Sequence, residues 1–340
     1  MEKAINIAVD AMGGDKAPTE IIKGALKALE FEGVNVTLVG RKDVIEKELK
    51  RHSYDAVRVS TVHASEIVGM SETPTVVLKQ KKDSSMMVGL RLLKEKNADA
   101  FVSAGNTGAL LSGAMMVVGR LKGVERPALA VSMPTERGFS LIIDCGANMD
   151  AKPSYLKQFG EMGSIYMETV LNVEAPKIAL ANIGVEKEKG NALTKGAYEA
   201  LSGVSGINFI GNIEARDIPR GCADVIICDA FTGNIILKYS EGFAKSFLAM
   251  MKRELMSSAL SRFGAFIASG GFRAMKKKFN ADEIGGAPFL GVSGVVVKAH
   301  GSSGSRAMRG AIAQCAAFVR NDFIEKLEFQ ILKGERNNGV

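Results

Sequence analysis

Short apolar runs alternate along this chain with longer stretches whose apolar positions recur every three or four residues. The runs read as buried strands and the stretches as amphipathic helices. Residues 5–10 form an apolar run that ends in a Gly-rich turn, and residues 18–31 place Ile21, Ile22, Ala25, Leu26 and Leu29 on one helical stripe. Further strands are expected at 34–39, 57–62, 98–102, 128–131, 140–143, 177–181, 207–210, 225–228 and 295–297. Helices are expected at 44–49, 75–81, 84–96, 108–118, 155–170, 192–201, beyond Asn234, and from about Gly304 to the C-terminal region. This alternation predicts a mostly parallel sheet covered on both faces, a three-layer α/β/α body. No internal repeat and no Pro/Ser linker divides the chain. Residues 1–340 are therefore expected to form one domain, with 245–280 as a helical protrusion within it.

Composition narrows the function classes. The 340 residues are 46% hydrophobic and 24% charged, as in folded globular chains. The cysteines at 145, 222, 228 and 315 contain no C-x-x-C pair, which argues against a disulfide scaffold or a zinc ribbon and for the cytosol. The opening segment lacks the long apolar core of a secretory leader. The uncharged stretch 100–119 carries Ser103, Asn106, Thr107, Ser112 and four glycines, too polar for a membrane span.

The net charge of +7 has a local source. Residues 245–278 hold Lys245, Lys252, Arg253, Arg262, Arg273, Lys276, Lys277 and Lys278 against Glu254 alone. The excess basicity is a site rather than a global property.

The familiar nucleotide, zinc-protease and hydrolase signatures (G-x-G-x-x-G after a strand, the P-loop, H-E-x-x-H, G-x-S-x-G) are not found. With only three histidines, a poly-His metal centre is not expected. Instead, small-residue loops follow the strands: 10–15 (DAMGGD), 103–108 (SAGNTG), 144–148 (DCGAN), 182–184 (NIG), 229–234 (DAFTGN) and 301–305 (GSSGS). Each alone is a turn with a helix cap. Together, on one expected sheet edge, they offer backbone N–H groups and neutral donors to a phosphate-rich or carboxylate-rich ligand.

These blocks carry a resemblance. IAVDAMGGD (7–15), SAGNTGAL (103–110), DCGAN (144–148), NIGVEKEKGN (182–191), CDAFTGN (228–234) and GGAPFLGVSGVVVKAHGSSG (285–304) resemble, in order and over nearly the whole chain, the signature blocks of the PlsX family. That family comprises the phosphate acyltransferases of bacterial phospholipid synthesis. Ala230 and the 70–74 loop (MSETP) depart from its pattern. The resemblance implies an isocitrate/isopropylmalate dehydrogenase-like fold. It implies transfer of a fatty acyl group from acyl carrier protein to inorganic phosphate, and a downstream glycerol-3-phosphate acyltransferase that takes the acyl phosphate. No cofactor and no metal are implied.

Phosphate is itself a nucleophile, so the chemistry asks for positioning and oxyanion stabilisation rather than a covalent serine or cysteine. Lys189 is the expected cation, with Lys187 as the alternative. Asn234 and His300 complete the expected catalytic set; helix capping for Asn234 and a structural role for His300 are the plainer readings. Gly13, Gly14, Asp15, Ser103, Gly105, Asn106, Thr107, Gly108, Asn148, Thr232, Gly233, Ser302 and Ser303 are the expected phosphate and acyl contacts. His63 is a weaker proton carrier, Asp10 and Asp15 read as capping or turn residues before any role in orienting a base or binding a metal, Asp144 and Asp229 are orienting groups, and Cys145 reads as a small buried residue.

In the basic window, Met256, Leu260, Phe263 and Ile267 recur at helical spacing among further Phe and Met residues. Phe263, Phe266, Ile267, Lys276, Lys277 and Lys278 therefore read as an interfacial segment on anionic lipid. A homodimer contact and an acidic carrier protein are alternative occupants. Nucleic acid is not expected, because no binding motif surrounds this window. The rival readings are a nicotinamide-dependent dehydrogenase of similar fold and a membrane-recruited scaffold.

Overall fold

The computed structural model describes residues 4–272 and 285–337. Its strands are β1 (Ile5–Asp10), β2 (Val34–Gly40), β3 (Val59–His63), β4 (Ala100–Ser103), β5 (Ala128–Thr135), β6 (Gly138–Ile143), β7 (Lys177–Asn182), β8 (Asn208–Glu214), β9 (Val225–Ile227), β10 (Ala287–Leu290) and β11 (Val295–Lys298). They form one sheet in the order β3-β2-β1-β4-β11-β10-β5-β6-β9-β7-β8.

Helices flank it: α1 (Thr19–Lys27), α2 (Lys42–Leu49), α3 (Pro74–Gln80), α4 (Ser85–Lys94), α5 (Thr107–Gly113), α6 (Pro153–Leu171), α7 (Ala192–Ser202), α8 (Ala230–Leu255), α9 (Ala259–Ile267), α10 (Ser305–Arg320) and α11 (Phe323–Asn337). Side chains alternate across the strands, so the sheet feeds two apolar layers. Ile7 and Val9 belong to one layer that also holds Ile22 of α1, Phe159 of α6 and Met308 of α10. Ala8 packs on the other face with Met86 and Leu90 of α4 and Leu110 of α5. The result is the expected three-layer α/β arrangement.

Two features depart from the sequence expectation. First, β10 lies in a stretch with no predicted strand. Gly285, Gly286 and Pro288 within GGAPFLG read as a turn, yet Pro288 and Phe289 pair with β11 and β5. Second, β10 runs antiparallel to both β11 and β5, and β5 antiparallel to β6. The strands from β6 to β8 therefore run opposite to β1–β4 and β11. The small-residue loops do not share one edge. Those after β1, β4 and β11 leave one edge, and those after β6, β7 and β9 leave the other. A hairpin reversal leaves no mark on apolar periodicity, which explains the miss.

The basic window falls in α8, α9 and the residues just beyond them. Lys276, Lys277 and Lys278 lie outside the described residues. Among the described residues, no helix is long and apolar enough to cross a membrane.

Candidate active site

At the first edge the loops after β1, β4 and β11 interlock. Asp10 ends β1 fully buried and accepts hydrogen bonds from Ser103 Oγ at 2.7 Å and from the Met12 N–H at 3.2 Å. Burial pushes its pKa up, and these hydrogen bonds oppose the rise. Ser103 Oγ in turn accepts the Gly105 N–H at 3.0 Å. Gly13 sits where any side chain would meet the Asp10 carboxylate and Gly105 N. Gly14, at φ +100°, lets the loop turn so that the Asp15 N–H reaches the Gly301 carbonyl at 2.8 Å. A left-handed φ with that close approach suits glycine.

Asn106 is already fully used. Its Oδ1 caps the Ala109 N–H at 3.0 Å, and its Nδ2 donates to the Met70 and Glu72 carbonyls at 2.8 and 2.9 Å. It clasps the 69–72 loop instead of offering free donors. Thr107 and Gly108 open α5 half-buried, with Gly108 against the Pro74 ring.

After β11, the Ser302 N–H donates to His300 Nδ1 at 3.2 Å, and Ser302 Oγ lies 2.9 Å from the same nitrogen. An amide N–H only donates, so Nδ1 is the acceptor and the neutral ring carries its proton on Nε2. His300 is exposed as a residue, yet its pKa is lowered. Burial of the ring is the main cause, the cations Lys238, Lys298 and Lys245 add to it, and Glu241 opposes it. Ser303 is buried, with its N–H on the His300 carbonyl at 2.9 Å. His63 lies apart, at the end of β3, where its Nδ1 accepts the Lys42 N–H.

At the second edge, Asp144 ends β6 without solvent exposure. Its carboxylate accepts the N–H groups of Leu129, Gly146, Ala147 and Asn148 and the Asn148 Nδ2. Asn148 Nδ2 also donates to the Pro127 carbonyl at 2.8 Å, so its donors too serve the loop. Burial, then the Asp144 charge, raises the Cys145 thiol pKa well above its ordinary value. A buried, protonated thiol is a poor nucleophile.

Asp229 caps α8, accepting the Thr232 N–H at 3.0 Å and its Oγ1 at 2.7 Å. Thr232 is thereby tied to the cap. The capping role is taken by Asp229, so Asn234 is released from it: half-buried in the first turns of α8, Asn234 makes no side-chain hydrogen bond among the described residues. Gly233 brings the helix against the loop, since a Cβ there would collide with the Asp144 carbonyl oxygen.

In the loop after β7, Asn182 Nδ2 donates to the Lys189 carbonyl at 3.1 Å. Lys189 is exposed, and its ammonium has no ion-pair partner among the described residues. Lys187 is paired with Glu199 at 2.9 Å and lies 5.8 Å from the Tyr198 ring centroid. The structure thus separates the two lysines: one is committed, the other available.

Helix α8 joins the two edges. Asn234, Lys238, Glu241 and Lys245 follow an i, i+4, i+7, i+11 spacing and share one helical face. Lys238 and Glu241, ion-paired at 3.0 Å, act electrostatically on Cys145 at the second edge and on His300 at the first. Lys238 and Glu241, on the face that begins at Asn234, therefore lie within electrostatic range of both edges. Asp10, Gly13, Gly14, Asp15, Ser103, Gly105, His300, Ser302 and Ser303 are brought together at one edge, Asn148, Thr232, Gly233 and Asn234 at the other. Lys189 stands on the neighbouring loop of the second.

The residue that sequence reading missed is Lys298. It ends β11 at 7% exposure and donates to the Ala104 carbonyl at 3.3 Å and to the Ala299 carbonyl. Burial lowers its pKa to about 8 against the pull of Asp10 and Asp15. The one sequence signal was a lysine closing an apolar run, which reads as a strand end reaching water.

Comparison with known proteins fits this geometry. The profile of the family described as fatty acid synthesis protein matches residues 5–326. A phosphate acyltransferase from Alkaliphilus oremlandii is 47% identical over 323 residues, covering 95% of this chain and 96% of that one. The chain belongs to the PlsX family. Members of this family share a fold with more distant proteins. A phosphotransacetylase from Streptococcus pyogenes superposes with a TM-score of 0.62 at 16% identity, covering 96% of this chain and 95% of that one. A 4-hydroxythreonine-4-phosphate dehydrogenase from Klebsiella pneumoniae gives 0.53 at 13%, covering 93% and 100%. These likenesses show the α/β fold of the PlsX chain.

Proposed function

We propose that this protein transfers a fatty acyl group from acyl carrier protein to inorganic phosphate, releasing acyl phosphate for a downstream glycerol-3-phosphate acyltransferase in phospholipid synthesis. The observation that carries the reading is Asn234, uncommitted in the first turns of α8, with the unpaired Lys189 on the neighbouring strand-end loop. Family membership and the phosphate acyltransferase relative support it.

In this reading, loops 10–15, 103–108 and 301–305 receive hydrogenphosphate. A phosphate oxygen attacks the thioester carbonyl, forming the C–O bond. Lys189 and Asn234 donate to the oxyanion that develops. The C–S bond breaks, the proton of hydrogenphosphate ends on the departing carrier thiol, and acyl phosphate remains. His300 Nε2–H is a third donor in the path of that charge.

The exposed apolar residues Phe263, Phe266 and Ile267 of α9 are assigned to an anionic membrane surface, and the exposed stripe of α8 to a second copy of the chain.

The deciding experiment mixes the protein with long-chain acyl carrier protein, with and without phosphate, and follows both products by mass spectrometry. Phosphate-dependent release of free carrier together with acyl phosphate is expected. Lys189→Ala should lower turnover about a hundredfold, the scale of one lost oxyanion donor, with an unchanged melting temperature. No release by a folded sample at any phosphate concentration refutes the reading.

A further inference from the structure

Lys298 stands out among the groups not used by this mechanism. Burying an ammonium is costly, yet this one sits at the end of β11, beneath the loops that the phosphate reading uses. Its two acceptors belong to two different loops: the Ala104 carbonyl precedes Gly105, and the Ala299 carbonyl precedes His300. In a trans peptide the N–H points away from the C=O. Drawing the Ala299 carbonyl inward to the ammonium therefore turns the His300 N–H outward, and that N–H makes no hydrogen bond among the described residues. On the neighbouring strand, the Ala104 carbonyl is pulled down while Ser103 Oγ holds the Gly105 N–H. The ammonium and the buried Asp10 carboxylate thus brace the ends of β1, β4 and β11 from below.

We propose that Lys298 is the positioning residue of the phosphate site: it fixes the 104–108 and 299–303 loops in their anion-receiving arrangement and places a positive charge under them. This rests on the phosphate-acceptor reading and extends it to a specific residue.

The charged and titratable groups facing Lys298 are Asp10 and Asp15 from the loop after β1, Lys238 from α8, and His300 on its own segment. The lowered Lys298 pKa, about 8, gives a second handle on its role. Inorganic phosphate is already mainly dianionic above neutral pH, so loss of the Lys298 proton should appear as lost phosphate affinity.

The test compares wild type, Lys298→Met and Lys298→Arg. Binding of inorganic phosphate is measured by calorimetry, and KM for phosphate and for acyl carrier protein by steady-state assay. Lys298→Met should raise the phosphate KM at least tenfold and leave the carrier KM within twofold, and Lys298→Arg should recover part of the loss. A folded Lys298→Met with wild-type phosphate KM overturns the proposal. If that variant does not fold, the wild type alone decides. Its phosphate affinity should fall about tenfold per pH unit above pH 8, and a flat profile to pH 9.5 overturns the proposal. A wild type that neither binds nor consumes phosphate refutes the acceptor reading itself, and this proposal with it.

Discussion

Two titrating residues at one edge give the reaction a pH signature. His300 has a lowered pKa and accepts at Nδ1, so its neutral form is the donor at Nε2. Protonation would make Nδ1 a donor facing the Ser302 N–H and break the tautomer. At saturating phosphate, we expect kcat/KM for acyl carrier protein to stay flat through neutral pH and to fall only below the ordinary histidine value of 6.5. His300→Gln should lower kcat and remove this acid limb. A profile with the same limb in the variant would remove His300 from the chemistry. Stability follows the same sign. The unfolded chain takes up the His300 proton first, so this contribution is present above pH 6.5 and is lost as pH falls. Lys298 carries the same sign in a higher window. Between pH 8 and 10.5 the unfolded lysine holds a proton that the folded one has released, so stability rises with pH across that window. Below pH 8 the charged, buried ammonium costs about 3 kcal/mol.

At the scale of elements, periodicity located most strands and helices. Ile5–Asp10 was legible to the residue, and α6 and α7 within two residues at each end, because their apolar stripes are long and their caps conventional. Element β10 was not legible. Its Pro288 and flanking glycines carry turn chemistry, and only pairing with β5 and β11 makes it a strand. Strand direction was illegible for the same reason: it is set by a hairpin at Thr135 and Gly138, not by the pattern within the strands. Candidate loops were found because Gly, Asn and Asp mark turns. Which of their donors were already spent, as at Asn106 and Asn148, was visible only in the folded chain.

Helix α9 makes its own prediction. Leu260, Phe263, Phe266 and Ile267 are 64–82% exposed, and no acidic residue lies among them. Replacing Phe263 and Ile267 by Asp should abolish flotation with vesicles rich in anionic lipid while retaining activity on soluble acyl carrier protein. Unchanged flotation would refute the membrane assignment.

For the whole molecule, α8 leaves one apolar face uncovered among the described residues. Phe231, Ile235, Tyr239, Phe243 and Phe247 recur at four-residue intervals and are all exposed. The rings of Tyr239, Phe243 and Phe247 stack in sequence at 6.1 and 5.9 Å. Such a row is an i±4n ridge, which packs against its own kind at a crossing angle of about −50°. An apolar row of this length calls for a partner, and a second copy supplies a self-complementary one. Sedimentation equilibrium at micromolar concentration should show a dimer, and Phe243→Glu with Phe247→Glu should show a monomer. A monomeric wild type would refute the assignment.

The insertion of β10 and β11 between β4 and β5 also sets a timetable. Ala100 pairs with Val295, and Leu129 with Phe289, so among the described strands the two halves of the sheet are joined by the pair that comes last in chain order. Closing so long a loop costs about 5 kcal/mol in chain entropy, and nothing nearer in sequence takes its place between β4 and β5. A nascent chain still short of residue 285 holds two unfinished sheet edges side by side, open to pairing with other chains. The seam should close last, and the buried lysine that ends β11 should arrive with it. Pulse-labelled hydrogen exchange during refolding should find β1–β2 amides protected before those of β4 and β11; simultaneous protection would show that the halves fold as one unit from the start.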